Sequence, residues 1–143
     1  MEPELEARTL WLRSGLILLA TAGMVVGVWA LLAPQSFYDD FPGGGRSWVS
    51  VFPPYNEHLV RDVGGLNLAL AVLLVFAAII LERRLVQAAT IAALVYAVPH
   101  LAFHLAHLEE YSTGDKVAGT ASLALAVVIP LALFVLATMR RRA

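Results

Sequence analysis

Between Val98 and Tyr111 the chain reads VPHLAFHLAHLEEY, which sets His100, His104 and His107 into an otherwise apolar run. Steps of four and then three residues return to one helix face, so the three imidazoles share a stripe, with Tyr96 one turn further in. A second polar group, EHLVRD, holds Glu57, His58, Arg61 and Asp62, and Asn67 follows it. Each group carries an i, i+4 pair, His58 with Asp62 and His100 with His104. Helical bundles build metal sites with this spacing on facing helices. Imidazole suits Zn, Cu, Fe or Ni, and a carboxylate would complete a set of three nitrogens and one oxygen. His58, Asp62, His100 and His104 are the expected ligands of a transition metal such as Zn, Fe or Cu, with His107 a further candidate at the rim beside Glu57, Glu109 and Glu110. Tyr96 and Asn67 would hydrogen-bond the bound group from below, and Asp62 or Glu109 would accept the proton in any catalysis. A b-type haem held by two histidines is a second form of this reading, which the clustered carboxylates disfavour.

Each residue also has a structural reading. A histidine near a membrane interface can be a hydrogen-bonded packing residue, and Asp62 can be neutralised by Arg61 or by a protonated histidine. Arg61 can snorkel outward. Asn67 can bridge two helices for about 1 kcal/mol. Against these stands the cost of ionisable groups inside a span, which are kept for ion pathways, relays or ligands.

The elements that must position these residues are set by composition. At 143 residues with 59% hydrophobic and 15% charged residues, and a mean hydropathy of +0.75, the chain is too apolar for an ordinary soluble fold. Its solvent is largely lipid. The absence of cysteine removes disulfides, thiolate metal sites, covalent c-type haem and CxxC redox chemistry.

Four spans are expected, at about 14–33, 58–81, 85–108 and 117–139, making an all-α integral membrane four-helix bundle in a single domain. The N-terminal MEPELEARTLWL reads as a short interfacial helix or tail. Arg13 and Ala20-Thr21-Ala22 also suit a signal peptide. The apolar run continues past that site to about the twenty residues a bilayer needs, which favours an uncleaved span. Gly23 and Gly27 form a GxxxG that permits close helix contact, and Gly64 and Gly65 suit close packing beside the polar site. Between the first two spans, residues 34–57 carry Pro42, Gly43 to Gly45, Pro53, Pro54 and six aromatics. Aromatics at headgroup level are expected, so this is either a lid over the bundle or an interfacial belt. A short turn after Glu82 makes the second and third spans an antiparallel hairpin, and Pro130 is expected to kink the fourth.

Arg8, Arg13, Arg83, Arg84 and Arg140 to Arg142 fall at one end of the spans, against Arg46, Arg61 and Lys116 at the other. By the positive-inside bias both termini are cytoplasmic, the aromatic loop faces outward, and the protein resides in the inner (plasma) membrane. In that topology the polar ends of the second and third spans meet, with Asp62 and His104 roughly 6 Å deeper than His58 and His107.

The layout of four short spans, a long first outer loop and a glycine-bearing second span (RDVGGLNLALAVL) resembles the small DoxX-like four-helix membrane proteins and related uncharacterised bacterial families. That resemblance implies association with membrane oxidoreductase assemblies and transfers no residue role, since the histidine-rich third span belongs to no motif of theirs. Two functions are expected from the residues. The first is an outward-facing His/Asp site that binds a transition metal and acts as an oxidoreductase or hydrolase on a lipophilic substrate. The second is a non-enzymatic subunit or assembly factor whose histidines are structural or sense external pH. Partners would be the lipid bilayer, other membrane subunits or a second copy of the chain, and not nucleic acid. Transport is weaker, because four spans conduct only by oligomerising.

Overall fold

The computed structural model describes residues 2–139. The fold is all-α, and among the described residues four helices are long and apolar enough to cross a membrane. They are α1 (Glu2–Leu32), α3 (Glu57–Ile80), α4 (Arg83–Ala106) and α5 (Thr113–Thr138), with a short α2 (Pro34–Asp40) after the first. The expected interfacial tail is absorbed into α1, which runs as one helix from Glu2 through Leu32. At about 1.5 Å per residue its 31 residues are longer than a hydrocarbon core requires.

Local chemistry marks the boundaries. Asn56 accepts from the Leu59 amide at 3.2 Å to cap α3, Glu82 accepts from the Leu85 amide at 2.8 Å to cap α4, and Ser112 accepts from the Asp115 amide at 3.2 Å to cap α5. Leu81 closes α3 in the left-handed conformation at φ 53°. The third long helix stops at Ala106, two residues short of the expected end, and a 3₁₀ turn follows at Leu108–Glu110. Helix α5 continues through Pro130. The aromatic loop is more ordered than a loop reading suggests. Besides α2 it holds a small hairpin of β1 (Pro42–Gly43) and β2 (Arg46–Ser47), paired antiparallel. Gly44 and Gly45 turn it with φ of +66° and +76°, the left-handed pair that a two-residue hairpin loop demands.

The helices associate as two close pairs, α1 with α3 and α4 with α5. The first pair is sealed by glycine. A Cβ on Gly64 would stand 2.6 Å from the Leu31 amide nitrogen, and one on Gly27 would stand 2.9 Å from the Gly64 carbonyl. The two backbones therefore touch, as the GxxxG spacing allows. Gly65 meets nothing.

The pairs converge at the end where α3 turns into α4. There Leu16, Leu74, Ala77, Val86, Ala89 and Leu133 form the main buried cluster. Arg8 donates to the carbonyls of Leu136 (2.8 Å) and Met139 (3.1 Å), and Arg13 to that of Ala78 (3.2 Å). Cations thus cap the carbonyl ends of α5 and α3, where the helix dipole favours them. The start of α1, the α3–α4 turn and the end of α5 share this end; Arg140 to Arg142 lie outside the described residues. Toward the other end a gap between the pairs is lined by all four long helices and by the aromatic segment between α1 and α3.

Candidate functional site

The two pairs enclose a cavity of about 560 Å³, within the range of small-molecule sites. Its walls are mostly apolar, from α1, α3, α4 and α5, and its roof is the aromatic segment. Leu59, Val63 and Phe103 line it and are also exposed, so it reaches the outer surface of the bundle between α3 and α4.

The roof is tied down at several points. Phe37, Phe41 and Trp48 pack in succession from Trp29 of α1, with centroid separations of 4.8 to 6.1 Å. Phe52 is surrounded by Phe103, His104, His107 and Tyr111 at 5.3 to 6.0 Å. Trp48 donates its indole N–H to Asp115 of α5 at 2.8 Å, and Arg46 pairs with the same carboxylate at 3.3 Å. The aromatic segment therefore roofs the cavity while packing against α1, α4 and α5.

The polar wall of the cavity comes from the third long helix. Tyr96 stacks on His100 (5.4 Å between centroids), and His100 meets His104 edge-on at 4.7 Å. Tyr111 donates its hydroxyl to the Trp48 carbonyl at 2.9 Å and lies 3.0 Å from Nδ1 of His104. A phenol has one proton, and the carbonyl can only accept it. The His104 contact is therefore a donation from Nδ1–H to the tyrosine oxygen, which leaves the lone pair of the neutral ring on Nε2. Burial beneath the lid, helped by the negative charges of Asp115 and Glu110, pushes the Tyr111 phenol up to about 12.

Among the described residues His100 makes no hydrogen bond and Nε2 of His104 has no partner. Among the described residues no buried side-chain nitrogen or oxygen lacks a partner, so these unpaired imidazole atoms are accessible, and both rings line the cavity. Asn67, also buried and lining it, donates Nδ2 to the Val63 carbonyl of its own helix at 2.9 Å, leaving its side-chain oxygen for the cavity.

Not all the expected ligands gather here. His58 and Asp62 pair with each other at 3.3 Å on the outside of α3, with side chains 83% and 55% exposed, and neither lines the cavity. The reason is rotational. Val60, Gly64, Asn67 and Ala71 form the inward stripe of α3 because Gly64 must seat against α1, and at 3.6 residues per turn positions 58 and 62 then fall on the opposite side. Arg61 donates to Glu57 at 2.8 Å and to the Leu31 carbonyl, and so bridges α3 to α1 instead of neutralising Asp62. His107 donates Nδ1 to the Phe103 carbonyl at 2.8 Å and stacks on the Phe103 ring at 4.2 Å. Glu109 and Glu110 are exposed in the 3₁₀ turn. Among the described residues no three His, Asp or Glu side chains are placed to hold a metal ion. The fold brings together Tyr96, His100, His104 and Asn67, and it adds Tyr111 and Asp115, to which the sequence assigned no role, and Trp48, expected only as one of the loop aromatics. Their contacts join positions 63 and 67 residues apart, and no local pattern signals them. No protein-family model, curated protein or solved structure matches this chain, so the likeness to DoxX-like proteins is one of layout alone.

Proposed function

We propose that this multi-pass membrane protein binds a lipophilic molecule in the lidded cavity, with the polar end of that molecule against His100, His104 and Asn67. One observation carries the reading: accessible, unpaired imidazole nitrogens opening into an apolar space of about 560 Å³. Unpaired polar atoms in apolar surroundings cost free energy until a partner arrives. The exposed rims of Leu59, Val63 and Phe103 offer entry from the bilayer.

Gly119 supplies the test. It lines the cavity, and a Cβ placed on it meets nothing within 4 Å. Gly119→Leu should project its side chain into the cavity and narrow it. Organic extraction and mass spectrometry of purified protein should recover a stoichiometric lipophile from wild type and markedly less from the variant. Equal recovery would defeat the reading.

In the same frame the arginine-rich end is cytoplasmic and the lid faces outward, in a plasma or inner membrane. Because the chain has no cysteine, single cysteines at Gly44 and Glu82 can be labelled from either side without background. Labelling of Gly44→Cys from inside only would reverse the orientation.

A metal reading would start from His100 and His104, whose rings lie 4.7 Å apart, with the remaining donors supplied by the bound molecule. Elemental analysis of wild type and His100→Ala tests it: metal content equal in the two excludes His100 as a ligand.

A further inference from the structure

We infer that the molecule bound in the cavity carries a hydroxyl group, as an alcohol or phenol, and donates it to Nε2 of His104. This rests on the cavity reading above and adds the chemistry of the ligand's polar end.

One proton in the lid decides what Nε2 can do. The Trp48 carbonyl can only accept, so the Tyr111 hydroxyl is committed to it at 2.9 Å. The tyrosine oxygen can then only accept from His104, at 3.0 Å. Nδ1 therefore holds the proton of the neutral imidazole, and Nε2 is an acceptor and nothing else. Among the described residues no carboxylate pairs with His104, and no donor reaches Nε2, although His100 stands edge-on at a centroid distance of 4.7 Å. At His104 the unpaired atom is a fixed acceptor and selects a ligand group that brings a donor, while the neutral ring of His100 keeps one N–H that a hydroxyl oxygen can accept. A ketone, ester or ether would set its own lone pairs against that of Nε2, while a hydroxyl satisfies it.

The apolar part of the ligand follows from the wall below. From His104 the cavity runs down α4 past His100, Tyr96 and Ala97 to Ala93, a depth of about 16 Å at 1.5 Å per residue. Below the imidazoles that wall is mostly aliphatic, its polar groups being Tyr96, Asn67, Thr120 and Ser122, so a hydrocarbon chain or ring system suits it and a charged group does not.

The experiment uses full-length protein in detergent or lipid nanodiscs and three probes: a long-chain alkylphenol, its O-methyl ether, and the matching alkylbenzene. Binding is followed by tryptophan emission, with Gly119→Leu as the blocked control. The phenol should bind wild type about tenfold or more tighter than the ether, the ratio that one satisfied hydrogen bond supports. His104→Ala should bring phenol and ether together. Tyr111→Phe, which frees the imidazole to take either tautomer, should narrow the gap. If His104→Ala does not fold, nitrogen-15 NMR of wild type decides instead: His104 should carry its proton on Nδ1, and its Nε2 resonance should move with phenol and not with ether. Equal binding of all three probes, sensitive to Gly119→Leu, would overturn the hydroxyl inference and leave the cavity reading standing. Binding of none, or binding unaffected by Gly119→Leu, would overturn both.

Discussion

The hydroxyl of Tyr111 donates to the carbonyl of Trp48 across 63 positions of sequence, at 2.9 Å. It fastens the roof of the cavity to the turn between α4 and α5, and it sets which nitrogen of His104 keeps its proton. Removing that oxygen in Tyr111→Phe should cost about 1 kcal/mol of stability, the net worth of one such bond, and should soften the lid. Thermal unfolding in detergent measures the first, and faster amide exchange over residues 42–52 the second.

The same phenol has a signature at high pH. Its folded pKa is raised to about 12, from an ordinary value of 10.0, so the protonated form is the one that folding favours. Stability from this group is full below pH 10 and falls between 10 and 12, as the unfolded chain releases the proton first. Ultraviolet titration of wild type minus Tyr111→Phe should show one phenol ionising near pH 12. A midpoint near 10 would mean that the lid does not cover it.

The glycines of α3 should behave oppositely. Gly64→Ala sets a methyl 2.6 Å from the Leu31 amide nitrogen, against backbone that cannot turn aside, whereas Gly65→Ala meets open space. The first should destabilise by about 1–3 kcal/mol. The second should be neutral or stabilise by up to about 1 kcal/mol, through the better helix propensity of alanine. Paired thermal melts would expose an error if the two variants matched.

Asp115 holds the lid from α5, accepting from the Trp48 indole at 2.8 Å and pairing with Arg46 at 3.3 Å. Asp115→Ala should release Trp48, red-shift its emission and raise protease sensitivity around Arg46. The i, i+4 pair of His58 and Asp62 lies on the outside of α3. Asp62→Asn should leave ligand recovery unchanged and move Tm by no more than about one degree, as exposed ion pairs do.

Acid should loosen the opposite end. Backbone amides of Arg84 and Leu85 hydrogen-bond the Glu82 carboxylate and hold it below its ordinary pKa of 4.5. Its contribution is therefore complete above pH 4.5 and is lost as pH falls through the lower folded value. Glu82→Ala should show a flatter decline in Tm over that acid range than wild type does.

Several of these relationships could be read in the chain and several could not, and the division follows distance in sequence. The four apolar helices, the polar start of α3 at Glu57 and the histidine stripe of α4 depend on composition and on the 3.6-residue period, which act over one or two turns. The GxxxG of Gly23 and Gly27 was likewise visible as a contact surface, though not its partner, Gly64. How α3 turns toward α4 is not legible there, because matching heights along two helices say nothing of how each is turned about its axis.

Lipid-compatible composition and local periodicity thus determined a bundle of four apolar helices, with imidazoles along one side of the third. Tertiary structure decided the rest. Seating Gly64 on Gly27 and Leu31 turned His58 and Asp62 outward and Asn67 inward, and packing at the arginine end left a gap between the helix pairs toward the other. Trp48, Tyr111 and Asp115 then met through a lid whose contacts exist only once the chain has folded back on itself. A helix carries its periodicity in its own sequence, whereas its rotation and its distance from a neighbour are set by the side chains it meets.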